Sequence, residues 1–269
     1  MGMIVVTGSA SGIGAACRAR LIADGHDVIG VDLRDADVLA DLSTGDGRRH
    51  ALEHITQPLD GVVTCAGLGG ATDRAGSLLI GVNYFGTVDL ITGLRPLLQQ
   101  GSSVVAISSN STTTQPGVPM DVVDACLAGD EDRARTLADA AGALATYPAT
   151  KIAVARWIRR NAAEWAGAGI RLNAVAPGYV ETAMTDELRA DPVIGPAMDA
   201  FPIPVGRKGR PEDVAALVVF LLGPDAGYIC GSIIFVDGGT DALLRTDDWP
   251  APWDLDLGDA ATLFGVEPG

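Results

Sequence analysis

Short apolar runs alternate along the chain with longer segments that mix apolar and polar residues. The runs occupy residues 4–6, 27–32, 38–40, 61–65, 104–107, 170–175 and 232–236. Short continuous runs are typical of strands buried on both faces of a parallel sheet. Between them, helices are predicted at 13–24, 45–55, 76–99, 147–167 and 211–222. This alternation predicts one doubly wound α/β domain with a parallel sheet of about seven strands and helices on both faces.

A glycine-rich turn joins the first strand to the first helix. Glycine permits a tight turn and close approach of a phosphate, and the amides and dipole at a helix N-terminus attract anions. The domain is therefore predicted to be of the Rossmann type, which binds a dinucleotide at this turn. The candidate loop residues are Gly8, Ser11, Gly12, Ile13 and Gly14.

An acidic residue at the end of the second strand favours NAD as the dinucleotide. Asp32 follows Gly14 by 18 residues, close to the spacing of about 20 expected for a carboxylate that binds the adenosine ribose hydroxyls. Its charge would also repel the 2′-phosphate of NADP. Arg34 keeps NADP open as an alternative, because an arginine near this position can bind that phosphate.

Charge and composition narrow the classes of partner. The formal net charge of -15 makes nucleic acid and anionic membrane surfaces poor partners. The N-terminus has no signal-peptide pattern, and no apolar run approaches the ~18 residues of a membrane span. Four scattered cysteines indicate a reducing compartment, so a cytoplasmic protein without membrane insertion is expected. His50 and His54 lack a third ligand, so no metal site is predicted.

Two ionisable residues are candidates for proton transfer. Tyr147 and Lys151 are four residues apart, so a helix would place them on one face. A tyrosine pKa near ~10 is too high for proton exchange at neutral pH. A neighbouring ammonium, together with a positive nicotinamide ring, would lower that pKa by favouring the phenolate.

Six motifs occur in the order typical of one enzyme family: Gly8-x-x-x-Gly12-x-Gly14, Cys65-Ala66-Gly67, Asn83, Ser108-Ser109, Tyr147-x-x-x-Lys151 and Pro177-Gly178. Over nearly its whole length the chain thus resembles the short-chain dehydrogenase/reductase family. The resemblance implies a proton donor or acceptor (Tyr147), a serine that binds the substrate oxygen (Ser109, with Ser108 as the alternative), a lysine that binds the nicotinamide ribose (Lys151), and an asparagine that supports a helix kink and a proton path (Asn83). It also implies cofactor contacts by Asp41, Leu42, Cys65, Ala66, Gly67, Tyr147, Lys151, Pro177, Gly178 and Thr182.

The chain departs from the family pattern at two places. Ser109 and Tyr147 are 38 residues apart, where most members have about thirteen, and the surplus forms an insertion at 112–145 with a helix predicted at 130–143. The crossover between Asp32 and Asp41 is also short. Both features resemble the bacterial 3α-hydroxysteroid dehydrogenase/carbonyl reductase branch. Proline suits a first helical turn, so Pro148 predicts that the helix with Tyr147 begins near that residue.

These expectations combine into one functional hypothesis. Residues 1–246 would form an NAD-binding domain with an apolar substrate lid at 179–210, and residues 247–269 an acidic extension, part of which docks through Trp249 and Trp253. The reaction would be reversible hydride transfer between NAD(H) and a secondary alcohol or ketone, with a hydrophobic cyclic substrate such as a 3-hydroxysteroid. A small non-steroid alcohol or carbonyl substrate, an inactive NAD-binding regulator, and an epimerase or dehydratase are the alternatives. The resemblance implies a homodimer or homotetramer, with the dimer favoured because the insertion precedes a helix that builds an interface in relatives.

Overall fold

The computed structural model describes residues 2–252, 254 and 255. Within them, seven strands form one parallel sheet in the order β3-β2-β1-β4-β5-β6-β7. The order reverses beside β1, which confirms the doubly wound arrangement and creates a crevice at the carboxyl ends of the strands. The strands are β1 (Met3–Thr7), β2 (Asp27–Asp32), β3 (Val38–Leu39), β4 (Leu59–Thr64), β5 (Leu98–Ile107), β6 (Arg171–Pro177) and β7 (Ile233–Val236).

Helices cover both faces of the sheet. They are α1 (Gly12–Ala23), α2 (Gly45–His54), α3 (Gly76–Leu79), α4 (Gly86–Leu94), α5 (Ser111–Thr114), α6 (Met120–Leu127), α7 (Glu131–Ala141), α8 (Ala143–Gly167), α9 (Ala183–Ala190), α10 (Gly195–Asp199), α11 (Pro211–Leu222) and α12 (Thr240–Leu244). Side chains alternate along β1, so Ile4 and Val6 join a core with α1 and α11, while Val5 joins a second core with α2, α4 and α8. Two covered faces explain why the strand sequences are apolar without alternation.

Helix α8, which carries Tyr147, begins earlier than its sequence predicts. It starts at Ala143, so Pro148 is its sixth residue and the predicted start near Tyr147 is wrong. Proline has no N–H to donate to the carbonyl four residues before it. That carbonyl, on Leu144, instead accepts a hydrogen bond from Nε2 of Gln115 at 3.0 Å. A side chain from a distant segment therefore satisfies the carbonyl that the proline would have left without a partner.

The insertion at 112–145 is built into the core of the domain. Helices α6 and α7 bury five side chains completely, and these join the core that α8 also covers: Val122, Val123, Cys126, Ala134 and Ala138. Helix α7 lies over residues 131–141, which confirms the helix predicted at 130–143. Gly142 alone separates α7 from α8.

One helical segment is more apolar over its length than the lack of a long apolar run in the sequence suggests. Residues Gly76–Leu97 form a continuous helical rod of 22 residues that could cross a membrane by length and composition. Most of its apolar window is buried inside the fold, 61% in all, where Leu79, Leu90 and Leu94 belong to the core. Burial of this kind is typical of the core helix of a globular domain.

The described part of the C-terminal extension does not dock through its first tryptophan. The Trp249 side chain is 74% exposed, so the expectation that it packs on the domain is wrong. Trp253, the other residue expected to dock, lies outside the described residues.

Candidate active site

A crevice of about 1170 Å³ opens at the carboxyl ends of the central strands. It brings together residues that are widely separated in sequence, because parallel strands end at one edge of a sheet. The sequence-predicted site residues on its wall are Gly8, Ser11, Gly12, Ile13, Gly14, Asp32, Asp41, Leu42, Cys65, Ala66, Gly67, Ser109, Tyr147, Lys151, Pro177, Gly178 and Thr182. Asn83 is the exception, since it is fully buried behind the wall.

The glycine loop is packed too tightly for side chains. Gly8 has a φ of 66°, and a Cβ there would lie 2.7 Å from the amide nitrogen of Ala66. A Cβ on Gly14 would lie 2.1 Å from the Gly8 carbonyl oxygen. The first-turn amides of a helix have no hydrogen-bond partner within the helix. In α1 the Ser11 side chain does not supply one either. These amides at the crevice wall therefore fit a pyrophosphate.

Asp32 is held in a fixed orientation at the end of β2. One carboxylate oxygen accepts a hydrogen bond from the amide of Ala10 at 2.9 Å, and the other accepts from the amide of Leu33 at 2.7 Å. Each oxygen keeps a further lone pair for a ribose hydroxyl. Arg34 also lines the crevice, so both groups that bear on the choice between NAD and NADP lie at this end.

Two side chains behind the crevice connect neighbouring elements. Asn83, which the resemblance places at a helix kink, lies in a π-helical turn, Ile80–Phe85. Its side-chain oxygen accepts from the Leu68 amide at 2.8 Å, and its nitrogen donates to the Leu68 carbonyl at 3.0 Å and to Thr150 Oγ1 at 3.3 Å. Thr150 in turn donates to the Tyr147 carbonyl at 2.7 Å. Asn83 thus joins the loop after β4 to the turn of α8 that carries the tyrosine.

The two serines at the end of β5 have different surroundings. Ser108 Oγ donates to the Lys151 backbone carbonyl at 3.0 Å, which uses its proton within the fold. Ser109 Oγ accepts from the Ser111 amide at 3.1 Å and lies on the crevice wall. The Ser109 hydroxyl also interacts with the Tyr147 phenol, whereas the Ser108 proton is directed into the fold, so the geometry favours Ser109 over Ser108 for binding a substrate oxygen.

Burial governs the ionisation of Tyr147 and Lys151. The Lys151 Nζ donates to the Ile107 carbonyl at 3.0 Å and lies 5.8 Å from the centre of the Tyr147 ring. Burial lowers the pKa of Lys151 to about 8, which still leaves the ammonium mostly protonated at neutral pH. Burial raises the pKa of Tyr147, and interaction with the Ser109 hydroxyl opposes that rise. The lowered tyrosine pKa expected from Lys151 is therefore not produced by the protein groups alone.

The pKa of Lys151 makes stability depend on pH. The folded chain releases the Lys151 proton near pH 8, whereas the unfolded chain holds it until about 10.5. Between these values the unfolded state binds the extra proton, so the free energy of unfolding should gain on the order of 3 kcal/mol from this group as pH rises. Urea unfolding of wild type and Lys151→Met from neutral to alkaline pH measures this difference. Parallel pH dependences of the two proteins would contradict it.

Residues within 179–210, the segment expected to form a substrate lid, line part of the crevice. A parallel bridge between Val180 and Gly209 closes the base of this lid. Among the apolar residues predicted for the lid, those that line the crevice are Tyr179, Val180, Met184, Ile194, Met198 and Phe201. Val193 does not, because its amide donates to the Asp191 side chain in a surface turn that leaves it 63% exposed.

Polar contacts that sequence reasoning missed fasten the lid to the loop after β4. The Thr72 amide and hydroxyl both donate to Asp191 Oδ2, at 2.9 and 2.6 Å, and these bonds hold the pKa of Asp191 well below its usual range. Arg74 Nη2 donates to Glu187 Oε1 at 2.6 Å. Thr72 and Asp191 are 119 positions apart, and Arg74 and Glu187 are 113 apart, so no local sequence pattern indicates either contact. These contacts hold helix α9 and the residue after it, Asp191, against the loop after β4.

Thr182 connects the lid to the glycine loop. Its side chain caps α9 by accepting from the Thr185 amide at 3.4 Å. A Cβ on Gly12 would lie 3.3 Å from Thr182 Cγ2, so only glycine leaves ordinary space at this point. The residue implied to contact the nicotinamide end thus lies where loop and lid meet.

A crevice with a dinucleotide loop at one end and a Tyr–Lys pair at the other is typical of oxidoreductases that use a nicotinamide dinucleotide. Two family models match the chain: the NAD dependent epimerase/dehydratase family at residues 4–186, and enoyl-(acyl carrier protein) reductase at residues 136–241. The chain is 39% identical over 254 residues to 3-alpha-hydroxysteroid dehydrogenase/carbonyl reductase of Comamonas testosteroni, which covers 91% of this chain and 98% of that protein.

Further relatives agree with this class. The crystal structure of 3-alpha-hydroxysteroid dehydrogenase from Pseudomonas sp. B-0831, complexed with NADH, superposes with a TM-score of 0.88 at 45% identity and covers 92% of this chain and 100% of that one. Cis-4-hydroxycyclohexanecarboxylate dehydrogenase of Sinomonas cyclohexanicum is 34% identical, over 89% of this chain and 96% of that protein. The chain belongs to the short-chain dehydrogenase/reductase family. It is an oxidoreductase that acts on alcohol or carbonyl groups.

Proposed function

We propose that the chain interconverts a hydrophobic cyclic secondary alcohol and its ketone with NAD(H) as cofactor. The observation that carries the proposal is the placement of Ser109, Tyr147 and Lys151 on one crevice wall, beneath an apolar lid. The glycine loop and Asp32 would hold the dinucleotide at the other end.

Each of these residues has a separate role in alcohol oxidation. NAD, when bound, supplies the hydride acceptor. Tyr147 Oη removes the hydroxyl proton, and Ser109 Oγ donates a hydrogen bond to the substrate oxygen where negative charge develops. The Lys151 ammonium binds the nicotinamide ribose and favours the phenolate over the phenol, against the effect of burial. In ketone reduction the same phenol returns its proton to the oxygen.

The wall near the lid favours a carbocyclic substrate. Beyond the lid residues named above, the crevice is lined there by further aliphatic side chains: Leu78, Val82, Leu144 and Leu188. Pockets of this kind bind ligands mainly by excluding water from apolar surface. The names of relatives include a hydroxysteroid and a hydroxycyclohexane carboxylate as substrates, which supports a ring-shaped, largely apolar molecule.

Steady-state turnover of the purified chain tests the proposal. With NADH, we expect 3-ketosteroids and substituted cyclohexanones to be reduced with kcat/KM at least about tenfold above that of short linear ketones, because each buried methylene adds ~0.8 kcal/mol of binding. NADH oxidation measured by absorbance gives the rates. NADH binding with no turnover across the panel would favour the regulator, and substrate inversion without net NADH consumption would favour an epimerase.

We expect the enzyme to form a homodimer. Helix α6 of the insertion packs against α8, the helix on which the family resemblance places one subunit interface. A second subunit could then not pack on the covered face of α8. Only one of the two kinds of subunit interface that a tetramer needs would remain. Size-exclusion chromatography with light scattering measures the mass, and a stable tetramer would contradict the expectation.

A further inference from the structure

The hydrogen bond between Gln115 and Leu144 joins the two halves of the candidate catalytic set. Gln115 lies directly after α5, and that short helix begins beside Ser109, whose hydroxyl accepts from the Ser111 amide at 3.1 Å. Leu144 lies in the first turn of α8, three residues before Tyr147. Through Gln115, the segment that carries the serine is therefore tied to the turn that precedes the tyrosine.

The hydrogen bond from Gln115 supplies a donor that the backbone of α8 lacks at Pro148. In an uninterrupted helix the residue at 148 would donate its N–H to the Leu144 carbonyl. Pro148 has none, and a proline within a helix tends to kink it at this point. Gln115 Nε2 lies 3.0 Å from that carbonyl oxygen, within hydrogen-bond distance. Its side-chain amide thus replaces the donor that proline removed.

We propose that Gln115 is a positioning residue for Tyr147: by hydrogen-bonding the Leu144 carbonyl it holds the first turn of α8, and with it the phenol, in register with Ser109. The expected change in kcat rests on the proposed function. The expected effect on the first turn of α8 rests on the geometry alone. Gln115 also lines the crevice, so direct contact with the substrate is the competing role, and the two roles affect different constants.

Restoring the backbone donor separates these roles. Gln115→Glu keeps the shape but loses the donor, Gln115→Met loses all polarity, and Pro148→Ala returns an N–H that can reach Leu144. We expect either Gln115 variant to lower kcat by about fivefold while KM changes by less than about twofold. In the Pro148→Ala background, the same replacements should change kcat by less than about twofold. Gln57→Glu, at an exposed glutamine, is the matched control.

Two kinetic results would overturn the proposal. Equal losses of kcat in both backgrounds would mean that Gln115 does not act through the Leu144 carbonyl. A change confined to KM would mean that it contacts the substrate.

Hydrogen exchange gives a readout that needs neither cofactor nor substrate. The amides of residues 145–147, 149 and 150 should exchange faster in Gln115→Met than in wild type, return toward the wild-type rate in the double variant with Pro148→Ala, and stay unchanged in Gln57→Glu. Unchanged exchange in Gln115→Met would overturn the proposal. A wild-type enzyme without turnover would instead overturn the proposed function, while exchange would still decide the role of Gln115.

Discussion

Replacement of Tyr147 by phenylalanine is expected to lower kcat by about 10³-fold, because it removes the group that exchanges a proton with the substrate oxygen. The ring that fills the wall is retained, so the dissociation constant for NADH should stay within about threefold of wild type. Rates with the best ketone of the panel give kcat, and quenching of protein fluorescence by NADH gives the dissociation constant.

A second tyrosine supplies the control for this replacement. Tyr228 is fully exposed on the surface, so Tyr228→Phe makes the same chemical change away from the crevice and should leave kcat unchanged. If Tyr147→Phe retained a tenth or more of the wild-type rate, another group would have to move the proton. The role assigned to Tyr147 would then be withdrawn.

The choice between NAD and NADP is expected to depend on Asp32. Like charges about 4 Å apart repel by about 1 kcal/mol in water and up to ~4 at intermediate dielectric, so wild type should prefer NADH by about fivefold to 10³-fold in kcat/KM. Asp32→Asn keeps the shape and one acceptor oxygen but removes the charge, and should lose most of this preference. Arg34, on the same wall, would then favour the 2′-phosphate.

Asp35→Asn is the matched control for the cofactor experiment. Asp35 lies in the same loop with a positive φ of 51°, a conformation that asparagine tolerates, and it is not among the residues that line the crevice. The control should therefore keep the wild-type ratio of NADH to NADPH. An unchanged ratio in Asp32→Asn would show that selectivity arises elsewhere in the crevice.

The sheet and the cofactor loop could be predicted from the sequence because their signals are local. Each buried strand is a short apolar run, and Gly8 and Gly14 stand where the backbone permits no side chain. The family resemblance, which rests on the order of the motifs, named the other crevice residues, and Asn83 alone among those named lies behind the wall.

Features that depend on contacts between distant segments could not be predicted. Pro148 obeys the local rule for a helix start, yet a hydrogen bond from Gln115 to Leu144 lets α8 begin at Ala143. The contacts of Thr72 and Arg74 with the lid depend on pairing across more than a hundred positions. Trp249 has an apolar side chain that suggested packing, but no surface of the domain covers it among the described residues.

The single-residue joint at Gly142 has a consequence for how the insertion can change. An α-helix turns by about 100° for each residue, and Gly142 alone separates the end of α7 from the start of α8. Adding or deleting one residue near this joint would either rotate the phenol around the helix axis or push α7 off the core. We therefore expect length changes to be tolerated better in the loops between α5 and α7 than at this joint.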